Sequence, residues 1–133
     1  MKEKKRLQYA VKRLSDAYER LMEAVNERET SLSIDGTIQR FEFTFEQAWK
    51  TIQKFIRYEG FDCNTPRECL RKAYSAGLID DEDIWLDMLD DRNITSHVYN
   101  ETLAKGIYDR IKGLYLKEFE TLRDFLSKRL EGL

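Results

Sequence analysis

Arg92, Asn93, Ser96, His97 and Tyr99 stand within one eight-residue stretch. On a helix at about 100° per residue, Arg92 and Tyr99 lie nearly one above the other, and Asn93 and His97 share the adjacent strip. Arginine presents a planar fork to phosphate oxygens. Histidine gives or takes a proton near neutral pH. Asn93 suits orienting the imidazole or holding a phosphate oxygen. Together the groups fit metal-independent phosphodiester cleavage of RNA, with the ribose 2′-OH as nucleophile. They also fit plain phosphate or nucleotide binding. The plainer alternative is structural: Arg92 pairs with a carboxylate such as Glu46 or Asp91, and His97 is a satisfied interhelical histidine.

The chain has 1 His. Proton transfer to and from a 2′-OH uses two groups, so a homodimer joining two copies of this arc would supply the second. No glycine-rich phosphate loop, metal-ligand cluster or nucleophile–His–acid spacing is present, and the expectation is no metal and no cofactor.

These side chains need a helix beneath them. Trp85, Met88 and Leu89 form an apolar stripe, and its continuation meets Arg92, Ser96 and Tyr99. The side that faces the core upstream turns polar without a change of register. An Arg at a core position must be paired, or face a cleft or subunit interface, because an unpaired buried charge is costly. Asp80–Asp83 complement the positive N-terminal end of this helix.

The other elements follow from the same periodicity. Leu7, Val11, Leu14, Tyr18, Leu21 and Val25 make one stripe on a first helix, and Thr30–Ser33 reads as a loop. A second helix is expected from Asp35 or Thr37 to Tyr58, with Ile38, Phe41, Phe45, Ala48, Trp49, Ile52, Phe55 and Ile56 as its broad apolar face. Phe43 extends that face to a second side. Gly60 is its stop. Thr65-Pro66-Arg67-Glu68 starts a short helix by a capping box, and Gly77 ends it. A last helix from about Asn100 carries Leu103, Ile107, Ile111, Leu114, Leu122, Phe125, Leu126 and Leu130. Gly106 and Gly113 weaken it or admit a close neighbour. The expected fold is all-α: an antiparallel up-and-down bundle of four long helices and one short helix, one domain over residues 1–133.

Composition agrees. The 133 residues include 1 Pro and 6 Gly, too few for a many-stranded β protein, and 12% aromatics, too many for a disordered chain. The net charge of -2 argues against wide electrostatic capture of nucleic acid but leaves room for a local site. Cys63 and Cys69, spaced C-x5-C, read as two reduced thiols rather than a zinc framework. No apolar run reaches the ~20 residues that span a bilayer, and no signal-peptide core follows the basic N-terminus. The expected location is the cytoplasm, without membrane contact.

Arg92-x4-His97, with Asn93 directly after the Arg, resembles the signature of the HEPN superfamily, and Arg92-x4-His97-x-Tyr99 resembles its longer form in HEPN toxins paired with a minimal nucleotidyltransferase. Phe41-Glu42-Phe43-Thr44-Phe45-Glu46-Gln47-Ala48-Trp49-Lys50 and the segment from Asp90 to Glu101 resemble the subgroup of nucleotidyltransferase substrate-binding proteins. The resemblance covers essentially the whole chain. It implies a homodimer with the Arg-x4-His helices near the interface. It also implies a metal-independent ribonuclease in which Arg92 stabilises the charged phosphorane, His97 is acid or base, and Asn93 assists. By the same resemblance Tyr99 receives AMP from the cognate nucleotidyltransferase, which silences the toxin. Ser96 supports the site, and Glu46 either buttresses Arg92 or makes an ordinary i,i+4 pair with Lys50. The alternative is a non-catalytic substrate-binding subunit of a two-chain nucleotidyltransferase.

Overall fold

A computed structural model describes residues 2–97 and 100–133, without the side chains of residues 96 and 97. Every element among the described residues is helical. Helix α1 spans Lys2–Asn26, α2 Ser31–Tyr58, α3 Pro66–Ser75 and α4 Glu82–His97. The last rod consists of α5 (Glu101–Arg110), a π-helical turn (Ile111–Tyr115) and α6 (Leu116–Glu131). Four long rods and one short helix are those the periodicity predicts. No helix among the described residues is long and apolar enough to cross a membrane.

The α1 stripe from Leu7 to Val25 is buried along its whole length. Its partner is α2, and the two run antiparallel. The register is set by small residues: the Thr44 hydroxyl lies 3.3 Å from Ala17 O, and the Thr51 hydroxyl 3.5 Å from Ala10 O. Alanines seven apart on one helix thus face threonines seven apart on the other. Each buried threonine donates to the carbonyl four residues back: Thr37 to Ser33, Thr44 to Arg40 and Thr51 to Gln47, at 2.6–2.7 Å. A satisfied hydroxyl is tolerated in a core, and its small size lets the helix axes approach.

Helix α2 begins earlier than the apolar pattern indicates. Thr30 is its N-cap, accepting from Ser33 N while the Ser33 hydroxyl accepts from Thr30 N. The stretch read as a loop is therefore a capping box followed by the first turn. Gly60 (φ +92°) and Gly77 (φ +77°) end α2 and α3 in the left-handed region, as expected of glycine there. At the start of α3, Thr65 accepts from Glu68 N at 3.1 Å. The Glu68 carboxylate instead lies 3.6 Å from Lys72 Nζ.

Several expectations are corrected. Phe43 is 49% exposed and adds nothing to the core, although α2 is contacted on more than one side, by α1, α3, α4 and α5. Leu114 and Phe125 are also exposed, whereas Tyr108, Tyr115 and Phe119 are buried. Tyr115, four residues after Ile111, lies within about 30° of the centre of the buried face, and Leu114 about 70° from it. Neither Gly106 nor Gly113 admits a neighbouring helix. A Cβ at Gly106 would meet only the Arg110 side chain, and one at Gly113 open space. Cys63 and Cys69 are buried and joined by a disulfide rather than held as separate thiols. A short loop ending at the N-cap of α3 returns Cys69 beside Cys63, with their Cα atoms 5.1 Å apart.

The core of the bundle is aromatic where α2, α4 and the last rod meet. Phe41 stacks on Tyr115 with centroids 5.6 Å apart, and Trp85 meets Phe119 edge-on at 5.5 Å. Such pairs contribute about 1 kcal/mol each beyond the area they bury. They fix α4, whose far end carries the polar arc.

Candidate functional site

Asp81 starts α4 by accepting from Ile84 N at 3.1 Å. Trp85, Met88 and Leu89 are buried, and the next position of that stripe is Arg92. Its side chain is 27% exposed, the half-buried state expected of a charge at the end of an apolar seam. The guanidinium forms a salt bridge with Glu46 Oε1 on α2, and its Nη1 also donates to Asn93 Oδ1 at 3.2 Å. Glu46 Oε2 lies 3.7 Å from Lys50 Nζ. Both alternatives for Glu46 therefore hold at once: one oxygen receives Arg92, the other faces the i,i+4 lysine.

A second carboxylate of α2 meets the next turn of α4. The Thr95 hydroxyl lies 3.2 Å from Glu42 Oε2 and 2.9 Å from its own helix's Arg92 O. Glu42 and Glu46, one turn apart, thus face Thr95 and Arg92, and α2 supplies an acidic rail for the polar half of α4. The structure brings Arg92, Asn93 and Glu46 together. Tyr99 and the side chains of Ser96 and His97 lie outside the described residues.

Asp91 is not the partner of Arg92. It is buried, and it points to the other side of α4. Its Oδ2 and Oδ1 receive Arg110 Nε and Nη2, each at 2.8 Å, and Oδ2 also receives the Tyr115 hydroxyl at 2.5 Å. The two-pronged bond to Asp91 holds the Arg110 proton more firmly than usual. Burial, and then the hydrogen bond to Asp91, push the Tyr115 phenol well above its ordinary value. Consecutive residues thereby tie α4 to two neighbours, Asp91 to the last rod and Arg92 to α2.

Sequence reasoning missed this triad. A signal exists in the pattern: Asp91 falls three residues after the buried Met88, in the phase of the core, where a carboxylate must find a cation. Tyr115, four residues after Ile111 and four before Phe119, also stands in core phase.

Chemically, the described half of the arc offers a guanidinium held from behind by a carboxylate, with an amide beside it. The rear clamp fixes the plane of the fork, and with it the direction in which its N–H groups would meet an anion's oxygens.

The comparisons with known proteins agree with the motif. A Haemophilus influenzae protein called a probable ribonuclease HepT is 33% identical over 101 residues, which are 72% of this chain and 68% of the relative. A crystal structure of a Thermus thermophilus protein superposes with a TM-score of 0.73 at 35% identity, covering 88% of this chain and 98% of that one. A Haemophilus influenzae structure, described as the fold of a substrate binding domain of a nucleotidyltransferase, gives a TM-score of 0.77 at 28% identity over 88% of this chain and 98% of that one. The family model described as "Nucleotidyltransferase substrate binding protein like" matches residues 4–128, nearly the whole bundle. Sequence motif, helix order and match length converge, and the chain belongs to the nucleotidyltransferase substrate binding protein family, the HEPN subgroup that its Arg-x4-His spacing resembles.

Proposed function

We propose that the protein is a HEPN-type toxin: a metal-independent endoribonuclease that acts as a homodimer and is restrained by a cognate minimal nucleotidyltransferase. The observation that carries this reading is the clamped guanidinium of Arg92, set in an Arg92-x4-His97-x-Tyr99 sequence at the polar end of the α4 seam. The name of the Haemophilus relative supports it, and a toxin–antitoxin complex, similar in fold at a TM-score of 0.74 and 17% identity, is consistent with it.

In this mechanism the ribose 2′-oxygen attacks the adjacent phosphorus, and the 5′-oxygen leaves. His97 takes the 2′-OH proton, and His97 of a second copy returns a proton to the 5′-oxygen. The products are a 2′,3′-cyclic phosphate and a 5′-hydroxyl. Arg92 faces the non-bridging oxygens, where negative charge develops in the transition state. Asn93 and Ser96 assist, and Glu46 holds Arg92 in register. Regulation proceeds by transfer of AMP from ATP to the Tyr99 hydroxyl by the partner enzyme, with release of pyrophosphate. The added anion and bulk beside Arg92 exclude the RNA phosphate. The site of action is the cytoplasm.

Expression in bacteria without the partner tests the reading. Wild type should arrest growth, and purified protein should cleave single-stranded RNA in a chelator. His97→Ala should do neither. Equal arrest and cleavage by the two proteins would sink the proposal. The family's description supports a second reading, a non-catalytic subunit presenting substrate to a nucleotidyltransferase. It predicts a stable complex with that enzyme and no cleavage by wild type.

A further inference from the structure

Charge is segregated in this chain. Residues 2–13 hold six Lys or Arg and one acid, Glu3, and residues 47–58 hold Lys50, Lys54 and Arg57 with no acid. The antiparallel packing of α1 on α2 brings these two segments to the same end of the bundle. Between them they carry nine of the chain's 23 basic residues and one of its 25 acidic ones. An overall charge of -2 conceals this.

The place is also shaped. A cleft of about 350 Å³ opens there, lined by Glu3, Arg6, Leu7, Lys54, Arg57 and Tyr58. The Tyr58 ring is 45% exposed. Tyr9 is 63% exposed, and the Arg13 guanidinium lies 5.9 Å from its ring centroid. Arg57 reaches Asp62 in the following loop at 2.7 Å, and Lys50 faces Glu46. Arg6, Arg13 and Lys54 make no salt bridge among the described residues. Partial burial, and then the charges of Lys50, Arg13 and Arg57, lower the Lys54 pKa. Like charges are collected here in excess of the carboxylates that could offset them.

The cluster is continuous with the candidate site. At 100° per residue, Glu46, Lys50, Lys54 and Arg57 lie within about 80° of one face of α2. Glu46 touches Arg92 with one oxygen and faces Lys50 with the other. From Glu46 to Arg57 the helix rises about 16 Å, the length of a few nucleotides.

We infer that Lys50, Lys54 and Arg57 of α2, with Arg6 and Arg13 of α1, form a track for the sugar-phosphate backbone of single-stranded RNA leading away from Arg92, with Tyr58 and Tyr9 as platforms for bases. Excess cations interleaved with exposed aromatic rings are the chemistry of single-strand binding: phosphates displace counterions, and bases stack whatever their identity. The inference rests on the ribonuclease reading in naming RNA as the polyanion.

Fluorescence anisotropy with a short labelled single-stranded RNA, in the His97→Ala background so that nothing is cut, decides it. Combined Arg6→Gln, Arg13→Gln and Lys54→Gln should weaken binding by roughly tenfold or more at low salt. It should also flatten the plot of log affinity against log salt by about 2, since each phosphate contact on a single strand contributes roughly 0.7. Combined Lys112→Gln, Lys117→Gln and Lys128→Gln removes the same charge from the last rod and should leave both quantities near wild type. Glu3→Gln should tighten binding. Equal losses from the two triple variants, an unchanged salt slope, or retention on phosphatidylserine vesicles without RNA binding would each overturn the track. Cleavage surviving in His97→Ala would instead sink the active-site reading, and the salt slope would still decide the track.

Discussion

Asp91 and Arg110, nineteen positions apart, meet through two parallel hydrogen bonds of 2.8 Å that fasten α4 to the start of the π turn. The Asp91 side chain is 8% exposed and the Arg110 side chain 46%. The asymmetry sets what each substitution does. Arg110→Met strands a buried carboxylate with only the Tyr115 hydroxyl to satisfy it. The expected loss is about 2 kcal/mol, below the 3–5 of a wholly buried pair because water reaches the Arg110 side. Urea denaturation measures it. Adding Asp91→Leu should restore part of the loss, since the orphaned charge goes with it. A double variant less stable than Arg110→Met would contradict this account.

Glu46 is a positioning residue in the proposed ribonuclease. Glu46→Gln keeps its shape but removes the charge that holds Arg92. Stability should change by less than about 1 kcal/mol, as for partly exposed ion pairs. The cleavage rate should fall by about tenfold or more, because a loosened guanidinium meets the phosphate in fewer productive orientations. The loss should appear in kcat rather than KM. A kcat equal to wild type would remove Glu46 from the site.

Tyr18 and Tyr115 should titrate late. Burial and the hydrogen bond to Glu120 push the Tyr18 phenol up to about 12, and burial and Asp91 raise Tyr115. Both folded-state values lie above the ordinary value near 10. The unfolded chain therefore releases these protons first, so their stabilising contribution is complete below pH 10 and is lost as pH rises through the raised folded-state values, about 12 for Tyr18. Denaturation midpoints should fall over that range, less steeply in Tyr18→Phe. Tyrosinate absorbance in the native protein should show the delayed pair. A midpoint flat from pH 9 to 12 would refute the assignment.

The Cys63–Cys69 bond closes a six-residue separation. Loop-closure entropy for so short a ring corresponds to about 2 kcal/mol. Denaturation with and without a reducing agent should differ by that order. Alkylation of the unfolded, unreduced protein should modify neither cysteine. Two alkylated thiols under those conditions would show that the pair is open.

The all-α class, the order of the helices, the buried face of α1 and the glycine stops at Gly60 and Gly77 were legible in the sequence. Each follows from the spacing of apolar residues along one element or from the backbone freedom of a single residue, and both are local properties. The polar position of Arg92 after the Trp85–Met88–Leu89 stripe was legible for the same reason. What depends on two elements meeting was not. The partner of Arg92 stayed open between Glu46 and Asp91, and only the packing of α4 between α2 and the last rod sent the two carboxylates to different cations. Which of the neighbours Leu114 and Tyr115 is buried was decided by the side of the last rod that meets Phe41 of α2. The disulfide required the chain to fold back on itself. Periodicity along a helix records which face is buried, whereas the choice of neighbour is made by tertiary contacts that no single segment contains.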